Sequence, residues 1–111
     1  MEKSVFVLTS DRLGKGADEL GEILIRGMLK TLTTIKPLPQ ALIFLNSSVK
    51  LLTKEEILEN LDLFKQRGTE ILVCGTCVDY FNLRQQIKAE LISNMHDILT
   101  TISQAAKVVN F

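Results

Sequence analysis

Both cysteines of the chain fall within four residues, Cys74-Gly75-Thr76-Cys77, directly after the apolar run Glu70-Ile71-Leu72-Val73. A sulfur that ends a buried strand, facing the free N–H groups of a helix start, sits where a thiolate is most readily stabilised. Three chemistries use such a pair. A redox dithiol sits at a helix start after a strand, as here, although the order of elements is not that of thioredoxin and no cis-proline candidate follows. A metal site lacks ligands, His96 being the only other good donor outside the carboxylates. Covalent sulfur carriage needs one activated, reachable thiol in a dry, oriented pocket. The bland alternative is a cysteine that merely packs at a strand end. Spacing alone does not rank the two sulfurs.

The elements that must position them read as an alternation of strands and helices. Ser4–Thr9 is a continuous apolar run, expected of a strand covered on both faces. The loop Ser10-Asp11-Arg12-Leu13-Gly14-Lys15-Gly16 has neither P-loop nor dinucleotide spacing, so a plain strand-to-helix turn is favoured over an anion cradle. A helix is expected from Asp18 to about Ile35. Leu20, Leu24, Gly27, Met28, Thr31 and Ile35 share its apolar face, with Glu22, Arg26, Lys30 and Thr33 opposite. Ile25, Leu29 and Leu32 lie beside the polar stripe and are expected to form a subunit contact. Gly21 and Gly27 are expected to permit close packing.

Gln40–Leu45 is the second strand, followed by a loop over 46–52. Thr53-Lys54-Glu55-Glu56 has a capping-box pattern, opening a helix that turns Ile57, Leu58, Leu61 and Phe64 inward and stops at Gly68. The third strand, Thr69 to about Cys74, leads through the cysteine turn to a short helix with Val78, Tyr80 and Leu83. Leu91–Ser93 reads as a fourth strand, Asn94–Asp97 opens a last helix, and 107–111 is a fifth strand. This order predicts an α/β fold, a three-layer α/β/α arrangement with a mostly parallel five-stranded sheet, as a single domain over 1–111.

In such sheets ligands bind outside the carboxyl ends of the strands. The segments Thr9–Gly16, Asn46–Lys50, Cys74–Tyr80 and Ser93–His96 are therefore expected to gather there. They supply Ser10, Arg12, Asn46, Lys50, Asp79, Tyr80 and His96 as candidate substrate-binding residues around Cys74 and Cys77. His96 reads as a proton relay or a solvated histidine. Asp79 and Tyr80 read either as groups that orient a sulfur or a docking peptide, or as a helix-start acid and a core ring.

Composition narrows the partners. The 13 basic and 13 acidic side chains balance, with no block of like charge, which argues against duplex nucleic acid or an anionic membrane. Met1–Ser4 shows no signal-peptide h-region, and no apolar run approaches the ~20 residues of a membrane helix. Paired cysteines without such a signal point to a reducing cytoplasm, where thiol chemistry is favoured over a structural disulfide.

The motifs Val7–Gly14, Phe44–Leu51, Cys74–Tyr80, Ser93–Ile98 and Ala106–Val109, in that order and spacing, resemble the DsrE/DsrF-like sulfurtransferase superfamily. The nearer likeness is to the DsrE-like C-terminal domain of YedF proteins, which are linked to selenium metabolism. The resemblance implies a small α/β/α domain that assembles into homo-oligomers and needs no cofactor. It also implies a persulfide on the cysteine that ends the third core strand, here Cys74, with Cys77 as a resolving or assisting thiol. The implied partner is a sulfur-donor or sulfur-acceptor protein of TusA-like type. YedF proteins carry a TusA-like domain ahead of this one, so the chain is expected to be a stand-alone relative or a fragment. Two further readings stay open: a non-catalytic assembly module and a dithiol redox protein.

Overall fold

The structure, a computed structural model, describes residues 4–111; the leader argument drawn from Met1–Lys3 lies outside them. Five strands form one sheet: β1 (Ser4–Leu8), β2 (Ala41–Phe44), β3 (Glu70–Cys74), β4 (Ile92–Ser93) and β5 (Lys107–Asn110). Their order is β4-β3-β2-β1-β5, and every pairing is parallel. The helices are α1 (Asp18–Leu32), α2 (Glu55–Gln66), α3 (Gly75–Tyr80) and α4 (Met95–Ser103), with a 3-10 segment over Asn46–Thr53.

Right-handed crossovers decide the layers. The connections β1→β2 and β2→β3 step in one direction, so α1 and α2 cover one face. The connection β4→β5 runs back past three strands, so α4 covers the other. The side-chain period of two along the strands matches this division. Leu8, Leu42, Phe44, Ile71 and Val73 pack with Ile25, Leu29, Ile57, Leu61 and Phe64 from α1 and α2. Val5, Val7, Ala41, Ile43 and Cys74 pack under Ile98 of α4.

The face of α1 is the opposite of the sequence expectation. Ile25, Leu29 and Leu32 are core, whereas Leu20, Leu24 and Ile35 are 53%, 44% and 50% exposed. The expected subunit contact at Ile25, Leu29 and Leu32 is therefore withdrawn. Gly21 sets the rotation: a Cβ there would lie 2.9 Å from the Arg12 Cβ, and its carbonyl accepts the Leu13 N–H at 3.0 Å. The helix thus presses its 21/25/29/32 line inward. Gly27 has open space around it and packs against nothing, contrary to expectation.

The capping box is also absent. Thr53 Oγ1 donates back to the Lys50 carbonyl at 2.8 Å, and α2 begins after Lys54 without a side-chain cap. Here the preceding 3-10 turn outcompetes the helix for the threonine hydroxyl. At the other end, α4 is capped as its sequence suggests, Asn94 Oδ1 accepting the Asp97 N–H at 2.9 Å.

Candidate functional site

The carboxyl ends of β1 and β2 are tied together before any site is built. The Leu45 N–H donates to the Leu8 carbonyl at 3.0 Å, and the buried Ser48 hydroxyl contacts the carbonyls of Leu8 and Leu45, each at 2.7 Å. Asp11 N–H reaches Ser47 Oγ at 3.3 Å, fastening the β1–α1 loop to the same knot. Asn46 stands at its top with φ +54°, a left-handed conformation that Asn tolerates better than most residues.

That conformation directs the Asn46 backbone N–H at the Cys77 sulfur, 3.1 Å away. Cys77 lies one turn into α3, three residues beyond Cys74, which occupies the N-cap position. Gly75 starts the helix in tight quarters: a Cβ there would lie 3.2 Å from the Ser93 carbonyl and 3.4 Å from Arg84 Nη2. Cys77, Asn46, Thr76, Tyr80 and Phe81 line a cavity of 330 Å³. Its outer wall is aromatic, Phe81 meeting Tyr80 edge to face at 5.0 Å. The Lys50 ammonium rests 4.5 Å from the Phe81 ring centroid, a cation–π contact at the rim.

The two sulfurs differ in access. Cys74 is 3% exposed and belongs to the core under α4; Cys77 is partly exposed and packs onto that cluster. The expectation that Cys74 would be the reachable sulfur is not met. The apolar run of β3 carries its last residue into the layer between sheet and helix, and the helix then lifts the second cysteine out. Both thiols are free. Burial raises the Cys77 pKa above the ordinary cysteine value, and the hydrogen bond with Cys74 adds to the rise. The Asn46 N–H works in the opposite direction but is outweighed. The resting sulfur is thus a protonated thiol, not the dipole-stabilised thiolate the helix start suggested.

Of the seven residues named from sequence to surround the cysteines, Asn46 and Tyr80 line the cavity, and Lys50 stands at its edge through Phe81. Tyr80 is 80% exposed, so it is no core ring. The other four point elsewhere. Ser10 Oγ accepts the Arg12 N–H at 3.1 Å, and the Arg12 guanidinium is neutralised by Asp18 at 3.5 Å and Glu22 at 3.7 Å. Asp79 is on the far side of α3, held by Arg84, whose Nη2 lies 3.0 Å from its Oδ2. That pairing holds the Asp79 carboxyl below the usual range. The His96 side chain is 88% exposed, with only Asp97 beside it at 3.4 Å. Thus, of the four turns expected to gather at the strand ends, two, Asn46–Lys50 and Cys74–Tyr80, border the cavity.

Thr76 and Phe81 were missed. Both were accessible to the helical period, since Thr76 and Tyr80, and Cys77 and Phe81, lie one turn apart over α3 and the residue that caps it. Among the described residues no group of three or more His, Cys, Asp and Glu side chains converges for a metal ion, and no helix is long and apolar enough to cross a membrane. The chemistry available is that of one accessible sulfur, a backbone donor and a second thiol beneath.

Three comparisons bear on this arrangement. The DsrE/DsrF-like family matches residues 3–111. The crystal structure of the YchN protein from E. coli is similar with a TM-score of 0.66 and 15% identity, covering 100% of both chains. No curated protein matches the chain at a significant level.

Proposed function

Because the chain belongs to the DsrE/DsrF-like family, we propose that it is a sulfur-relay protein that carries a sulfane sulfur as a persulfide on Cys77. The observation that supports this reading most directly is the position of the Cys77 sulfur, open to a 330 Å³ cavity and held by the Asn46 N–H at 3.1 Å. The carrier role moves from Cys74, which the resemblance implied, to Cys77. An incoming donor reaches only the sulfur that faces solvent.

Loading proceeds when the Cys77 sulfur, as thiolate, attacks the outer sulfur of a donor persulfide and displaces the donor's thiolate. Negative charge is concentrated on Cys77 Sγ before attack and again when the sulfur is handed on. A backbone N–H already aimed at that atom needs no reorganisation to stabilise it. The cavity has room for the added outer sulfur beside the Tyr80 and Phe81 rings. The raised thiol pKa keeps the empty carrier mainly in its protonated form at neutral pH.

The donor and acceptor in this reading are cytoplasmic proteins with their own reactive thiols, a TusA-like protein among them. Selenium, chemically parallel to sulfur, fits the same site, in keeping with the likeness to YedF proteins. Leu20, Ile23 and Leu24 form an exposed apolar strip along α1 that supports association with further copies.

Cyanolysis tests the carrier role. Protein loaded briefly from a persulfide donor, desalted and treated with cyanide at once should release up to one equivalent of thiocyanate per chain. Cys77→Ser should release none. Equal release from wild type and Cys77→Ser would sink the assignment.

A further inference from the structure

The carrier reading uses one thiol and leaves the second unexplained, although Cys77 packs against the buried cluster that contains Cys74. Cys74 ends β3 beneath α4, at the N-cap of the same short helix that bears Cys77. A side chain at the N-cap faces that of the third helical residue, the neighbourhood used by Cys-x-x-Cys pairs. Cys74 therefore approaches Cys77 from the core side, while the cavity opens on the solvent side. Resting on the carrier reading, we propose that Cys74 discharges the carrier from within: it displaces the outer sulfur from the Cys77 persulfide and closes a Cys74–Cys77 disulfide.

The step balances without an outside oxidant. The Cys74 sulfur gives up its proton and attacks Cys77 Sγ, the inner sulfur of the persulfide. The bond between Sγ and the outer sulfur breaks, and the outer sulfur leaves with the electron pair as hydrosulfide, taking up the released proton. Cys74 is oxidised to the disulfide level and the sulfane sulfur is reduced to sulfide. Geometry selects the inner sulfur as target. The nucleophile sits on the core side of Sγ and the leaving group projects into the cavity, so attack and departure are on opposite sides of one atom. Departure is unobstructed, since the cavity is open to solvent. A dithiol or monothiol reductant then restores the two thiols by exchange.

The consequence is a limit on the lifetime of stored sulfur. An acceptor that docks promptly takes the outer sulfur; without one, the site empties itself and ends in an oxidised state that cannot reload. The burial of Cys74, which removes it from any external donor, is what this role requires.

The test uses the full chain, reduced, briefly exposed to inorganic polysulfide and desalted. Intact mass and trapped sulfide are then followed over time. Wild type should first gain one sulfur. It should then lose that sulfur together with two hydrogens relative to the reduced chain, with one equivalent of sulfide released. Cys74→Ser and Cys74→Ala should hold the adduct roughly tenfold longer or more. Wild type that keeps its adduct as long as both variants, or sheds it without forming the disulfide, would overturn the inference while leaving the carrier reading intact. Failure of every form to gain a sulfur would remove the carrier reading and this inference with it. The disulfide and sulfide readouts on wild type decide the matter even where a variant folds poorly.

Discussion

The backbone N–H of Asn46 donates to the Sγ of Cys77 across 3.1 Å, joining turns 31 residues apart in the chain. The bond exists because Asn46 adopts φ +54° at the end of β2, where the knot of Ser48, Leu45 and Leu8 fixes the chain direction. A side-chain donor could rotate away; this one is held by the sheet. The site is thus an agreement between two strand ends about the position of one sulfur.

The cysteines should separate by reactivity. Cys74 becomes available only through local opening of the layer under α4, so Cys77 should alkylate at least about tenfold faster with iodoacetamide. Peptide mapping of partly labelled protein checks this. Labelling that begins at Cys74 would contradict the geometry.

The pH dependence follows from burial and the neighbouring thiol. The alkylation rate of Cys77 should rise with pH through an inflection above the ordinary cysteine range, and Cys74→Ala should bring it down. Linkage gives the sign for stability. A folded pKa above the unfolded one means that the native state holds the proton more tightly. Its contribution is complete below the unfolded pKa and is lost as pH rises through the folded one. Denaturant midpoints should fall on that alkaline limb, and the fall should lessen in Cys77→Ala.

Asn46 tests the left-handed turn. Asn46→Ala should cost about 1 kcal/mol, since a Cβ without a local polar partner is disfavoured at positive φ. That corresponds to roughly 4–8 °C in Tm. Asn46→Gly should keep both the fold and the Cys77 reactivity, because the donor is the backbone. Loss of reactivity in the glycine variant would point to a role for the amide side chain.

Residues named from sequence that point away from the cavity should be silent in thiol chemistry. Asp79→Asn, Arg12→Gln and His96→Gln should leave the Cys77 alkylation rate within about twofold of wild type. Asp79 still has a pH signature of its own. Its pKa is lowered by Arg84, so the pair's contribution is present above the usual carboxylate pKa and disappears on acidification.

Much of this architecture was legible in the chain. The runs Ser4–Thr9, Gln40–Leu45 and Thr69–Cys74 read as strands, and the strands found there are parallel and central. The order of elements then put the cysteine turn at the correct edge. What was hidden depended on rotation about single elements. Helix α1 carries two apolar stripes beside its polar one, Leu20/Leu24/Met28 and Ile25/Leu29/Leu32. Periodicity favours the first stripe, and the close approach of Gly21 to the Arg12 Cβ and the Leu13 backbone turns the second inward. Likewise a strand pattern cannot tell whether its last cysteine ends inside the layer or just outside. For Cys74 the covering residue is Ile98, 24 positions later and invisible locally.

The face of α1 is open to a stability measurement. Ile25→Ala and Leu29→Ala should each cost about 2–5 kcal/mol, as buried aliphatic truncations do. Leu24→Ala should stay within about 0.5 kcal/mol in the isolated chain. The reverse ranking would restore the other face.

The most direct measurement of the central claim is the site of the sulfur adduct. Protein loaded from a persulfide donor, trapped at once with an alkylating agent and digested, should carry the extra sulfur on Cys77, and Cys77→Ser should carry none. An adduct found on Cys74 in wild type, or one that persists in Cys77→Ser, would contradict the account.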